Sequence, residues 1–107
     1  MVKVVFNSVP EFLEELALSK PSGKVVRLAC KYQGSKLSPN ISLVSVLANF
    51  ICNGQLISLE AYAGDSWGLN NDHDKAVQER VARWHNDIEG KCRELGLEVR
   101  SGAFVEA

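Results

Sequence analysis

"ISLVSVLANFICNGQLISLEAYA", residues 41–63, contains two largely apolar runs joined by Asn53-Gly54. Asn-Gly between such runs is the strongest short-range signal for a two-residue hairpin, because both turn positions require positive φ. A two-residue turn also fixes the register, so cross-strand partners follow by counting. Cys52 faces Gln55, Phe50 faces Ile57, Ala48 faces Leu59 and Val46 faces Ala61, which makes one apolar row. On the other side Ile51 meets Leu56, Asn49 meets Ser58, Leu47 meets Glu60 and Ser45 meets Tyr62, a mixed row. A one-residue slip would scramble both rows, so the clean apolar row supports this register.

Upstream, "KVVRLACKYQ" at 24–33 alternates, with Val26, Leu28, Cys30 and Tyr32 pointing one way and Arg27, Ala29 and Lys31 the other. That is the pattern of a half-buried strand, and "GSKLSPN" after it reads as a loop. Further back, Ser8 with Glu11 three residues on has capping-box spacing, and Pro10 sits in the tolerated first turn. Phe12, Leu13, Leu16 and Ala17 then give a helical stripe that ends at "KPSG". "VKVVF" at 2–6 is a candidate edge strand. Downstream, Val77, Val81, Trp84, Ile88, Cys92 and Leu95 form a stripe over a long helix from about Asn71 to Leu95, with Gly96 as its C-terminal cap. Val99, Ala103 and Val105 read as a last strand.

The expected fold is α+β: a single domain over residues 1–107, in the order (β)-α-β-β-β-α-β. It is expected as a two-layer sandwich with a mainly antiparallel sheet and two helices on one face. At 107 residues, 46% hydrophobic and net charge −1, the chain can bury a real core but has little room for a second domain. No run approaches the roughly 18 apolar residues of a membrane span, and "MVKVVFNSVPEF" is too broken for a signal peptide. The expected location is therefore cytoplasmic, with no membrane partner. Cys30, Cys52 and Cys92 are odd in number and lack C-x-x-C spacing, which points to free, mostly buried thiols.

"GDSWGLNNDHD", residues 64–74, invites a catalytic reading. Gly64-Asp65-Ser66 resembles the nucleophile block of the Gly-Asp-Ser-Leu lipases and esterases in those three residues only. Trp67 replaces the leucine, the block follows a middle strand, and no Asp-x-x-His is present. A Ser66–His73–Asp triad inside one connection would lack the rigid frame that such chemistry needs. A calcium loop fails because Lys75 and Val81 occupy the positions that require Gly and Glu. His85 lies about 120° around the helix from His73, too far to share a metal. The simpler reading is a cap at Asn71, acids at Asp72 and Asp74 near the positive helix end, and Trp67 folded over the core. His85 is expected to pair with Glu89 one turn later. No catalytic residue, metal or cofactor is assigned, and a small hydrolase or metal site in the 65–74 loop stands as the last of three functional alternatives.

The mixed face is the more informative feature. It carries Leu43, Leu47, Ile51, Leu56 and Tyr62 among Ser45, Asn49, Ser58 and Glu60, with Arg27 and Lys31 on the neighbouring strand and Arg100 and Phe104 from the last. Aliphatics with a polar rim on an open sheet have the anatomy of a protein interface. The expected function is a small non-enzymatic assembly module that self-associates or binds a protein partner. A second possibility is anion or single-stranded nucleic-acid binding through the basic strand 24–36, with Arg27 and Lys31 as contacts. From Leu16 to Leu59 there are five basic residues and no acid, while the rest of the chain holds all 13 acids and seven bases. A pI near 6.1 and Glu60 within the face argue against nucleic acid.

Overall fold

In a computed structural model, residues 2–19, 25–34, 41–66 and 72–101 are described. The elements are β1 (Val2–Phe6), α1 (Val9–Ser19), β2 (Val25–Gly34), β3 (Ser42–Cys52), β4 (Gln55–Ser66), α2 (Asp72–Glu94) and β5 (Glu98–Ser101). The five strands form one sheet in the order β1-β4-β3-β2-β5. The α+β class and the element order are as expected. The sheet, however, is mixed and not mainly antiparallel: β1 runs parallel to β4, and β5 parallel to β2. The reason is connectivity. Each helix carries the chain back along the sheet, so the strands it joins point the same way, and only β3 is reversed.

The hairpin is built as its turn residues require. Asn53 and Gly54 have φ of 50° and 75°, the type I′ pattern. Every pairing counted from that turn is present, from Cys52↔Gln55 to Ser45↔Tyr62. Beyond Ser45 the register shifts, so that Val44 faces Gly64 and Ala63 is the extra residue of a bulge.

α1 starts after Ser8 and α2 ends at Gly96 as their sequences announce, while the expected Asn71 cap of α2 lies outside the described residues. The Ser8 carbonyl accepts the first helical bond from the Phe12 N–H at 3.0 Å. At the far end of α2, Leu97 N–H donates to the Cys92 carbonyl at 2.8 Å and Gly96 N–H to that of Arg93 at 3.2 Å. With Gly96 at φ 73°, this is a Schellman motif.

Val9, Phe12 and Leu16 of α1 and Ile88 and Cys92 of α2 share one buried cluster with alternate residues of β2, β3 and β4. Phe12 and Phe50 meet at its centre, rings 5.5 Å apart and edge to face. Val44, Ala63 and Val77 form a smaller cluster beside the bulge, joined to the first through Val81 and Trp84. Cys52 Sγ donates to the Ser19 carbonyl at 3.1 Å, tying the end of α1 to β3. Burial, with the Glu89 charge as a lesser cause, pushes the Cys92 thiol up to about 11. It stays protonated and unreactive at neutral pH. No described helix is long and apolar enough to cross a membrane.

Candidate functional site

The strand residues that point away from the main cluster form a second sheet face, and the register places them in rows. Arg100, Arg27, Asn49, Ser58 and Val5 make one row; Ala29, Leu47 and Glu60 the next; Lys31, Ser45 and Tyr62 a third. The face therefore gathers the five expected contact residues, Leu43, Leu47, Ile51, Leu56 and Tyr62, together with Arg27 and Lys31. Their exposures differ. Ile51 is 44% exposed and Tyr62 55%, and Val5 on the neighbouring edge strand adds 47%. Leu43 and Leu56 are half-buried, and Leu47 is buried at 7%.

Leu47 is covered by an ion pair. Lys31 Nζ on β2 lies 3.6 Å from Glu60 Oε1 on β4, and β3 runs between those strands. The bridge must pass over β3 beside Leu47, laying the methylene stems of both side chains across it. Glu60 is the first acid after the long acid-free segment, and it is where one basic charge of that segment is answered. Lys31 is thus already engaged, whereas Arg27 is exposed with Arg100 directly beside it in register. Arg100 Nε in turn contacts Glu98 Oε1 at 3.1 Å.

The bulge shapes one end of this face. In a regular strand residues 62 and 65 would point to opposite sides. The extra residue at Ala63 brings Asp65 round to the side of Tyr62, whose hydroxyl donates to its carboxylate. That hydrogen bond, then partial burial, then the Asp65 charge hold the phenol above its ordinary 10.0. Asp65→Ala is expected to bring the Tyr62 titration back toward that value. Ultraviolet absorbance of tyrosinate reads the change, with Tyr62→Phe assigning the signal. An unchanged titration would mean that the pair is not formed in solution.

Asp65 is the only candidate of the 64–74 segment whose side chain falls within this geometry. Trp67 and Asn71 lie outside the described residues, as do the side chains of Ser66, Asp72, His73 and Asp74, and so does Phe104. Among the described residues no group of His, Cys, Asp and Glu is arranged to hold a metal. His85 does not follow its expectation: its Nε2 is buried with no hydrogen-bond partner among the described residues, so that nitrogen is not paired with Glu89. No family model, curated protein or solved structure matches this chain.

Proposed function

We propose that the chain is a non-enzymatic assembly module, a two-layer sandwich with both helices on one face of the sheet and the other face given to a protein contact. The helix placement follows from handedness. β1–α1–β2 and β4–α2–β5 each skip two strands in the same direction across the sheet. Crossovers between like-directed strands are nearly always right-handed, which brings both helices to one side.

One observation carries the interface reading: Ile51, Val5 and Tyr62 stay about half exposed on the second face, interspersed with Lys3, Arg27, Asn49 and Glu60. Exposed apolar side chains set among polar and charged ones fit a protein surface better than a catalytic cleft or a membrane. Self-association or a foreign protein partner would cover it. The runner-up, an anionic ligand, draws on Arg27 beside Arg100, but the Lys31–Glu60 bridge takes away the second basic contact that it would use.

The test is absolute mass by light scattering after gel filtration, at low and high salt. An assembly larger than a monomer that persists in high salt and is dissociated by Ile51→Asp is the expected result for self-association through this face. Ile51 is the right position because it is exposed, whereas a charge at the buried Leu47 would confound association with folding. If Ile51→Asp changes neither the mass nor the capture of any partner, the face is not the contact.

A further inference from the structure

We infer that β5 is a pairing edge for a second copy of this chain, joining two sheets antiparallel about Val99 with Glu98 of each copy opposite Arg100 of the other. The inference rests on the assembly reading and names its partner, but it uses the edge of the sheet instead of its face.

The sheet has two outer strands, and their sequences treat an incoming strand differently. On β1 the run "VKVVF" paired with itself about Val4 sets Lys3 against Val5, with no charge answered; a lysine on an edge is a common guard against pairing. On β5 the run "EVRS" places opposite charges two residues apart around a central valine. Antiparallel self-pairing about Val99 reverses that order, so both charges meet their complements across the two-fold axis. A two-fold contact needs such self-complementarity, and β5 has it where β1 does not.

The neighbouring strand adds a reason for the acid to arrive. Arg27 and Arg100 sit side by side on one face, and like charges in adjacent strands repel. Among the described residues of one chain, Glu98 alone answers Arg100, and Arg27 has no ion-pair partner. A second Glu98, placed beside Arg100 on its outer side, extends the row to Arg27–Arg100–Glu98 and offsets the doubled positive charge.

The other side of the same edge has room. A wide-open recess of about 310 Å³ lies between α2 and β5, lined by Glu89, Arg93, Leu97, Val99 and Ser101. Across the two-fold axis, Val99 of the second copy stands against Val99 of the first and borders this recess. Apolar contact below the sheet thus accompanies charge pairing above it, and the backbone groups on the outer edge of β5 gain partners.

The test is sedimentation of the full chain over a wide concentration range, with circular dichroism to confirm folding of each variant. Glu98→Arg and Arg100→Glu are each expected to weaken the dimer by about tenfold or more, since opposite pairs become like pairs twice over. The combined Glu98→Arg/Arg100→Glu chain is expected to recover wild-type association, because the charges are again complementary. A wild-type chain that remains monomeric up to millimolar concentration overturns the inference. So does association that neither single reversal weakens, or reversals that the combined chain does not rescue. Association lost with Ile51→Asp but untouched by the reversals rejects the edge and keeps the face; the opposite pattern keeps the edge and rejects the face as the self-contact.

Discussion

Phe50→Ala is expected to lower the unfolding free energy by about 3–5 kcal/mol, the usual cost of removing a buried aromatic side chain. Phe50 lies near the hairpin end of β3, opposite Ile57, only 1% exposed, and its ring meets Phe12 of α1 edge to face. The substitution therefore opens a void at the point where α1 joins the sheet. A protein of this size has roughly 5–15 kcal/mol of stability in all, so about a fifth or more of it is at stake. Urea denaturation followed by circular dichroism reads the change. A loss below about 1 kcal/mol would show that the site collapses around the void, or that the Phe12–Phe50 junction is not formed. The Phe12→Ala, Phe50→Ala cycle separates the ring contact from burial; coupling of about 0.5–1.5 kcal/mol is expected for an edge-to-face pair.

That junction shows what was readable in the residues. Phe50 is assigned to the buried row by counting from Asn53-Gly54, and Phe12 by its place in a helical stripe. Both assignments rest on local periodicity, and both hold. The parallel pairing of β1 and β5 rests on nothing local. It depends on where a helix delivers the next strand, and "VKVVF" or "EVRS" would look the same on either side of the sheet. The Lys31–Glu60 bridge was hidden for a related reason. In the sequence a long "GSKLSPN" stretch, not a two-residue Asn-Gly signal, separates the β2 and β3 runs, so which residue of β2 stands near Glu60 could not be counted. Leu47 consequently reads as exposed from alternation alone, while the bridge that spans β3 covers it.

The bulge was the other hidden feature. Alternation in "LISLEAYA" carries the strand to Ala63 and gives no reason to continue it through Gly64 and Asp65. β4 in fact runs to Ser66, and the irregularity at Ala63 turns Asp65 toward Tyr62. The signal that was present, a glycine closing an alternating run, marks a bulge as well as a turn. Deciding between them requires knowing that α2 passes close by.

That closeness makes Gly64→Ala the second large effect, a loss of about 2–4 kcal/mol from backbone strain and overpacking together. Gly64 has φ of +135°, a conformation that L-residues rarely adopt. A Cβ there would lie 2.7 Å from Val77 Cγ2, well inside contact distance. Val77 is a poor candidate to yield, being buried, β-branched and held on α2 with one preferred rotamer. Nor can α2 readily withdraw, since Arg80 Nη1 donates to the Ala63 carbonyl at 2.6 Å and fixes the helix against the bulge. Val77→Ala in the same chain removes the clashing methyl and leaves the strain. The double variant is therefore expected to be more stable than the two separate losses would sum to, by on the order of 1 kcal/mol. Strict additivity would place the whole cost in φ; a Gly64→Ala chain as stable as wild type would mean that β4 does not take this path past α2.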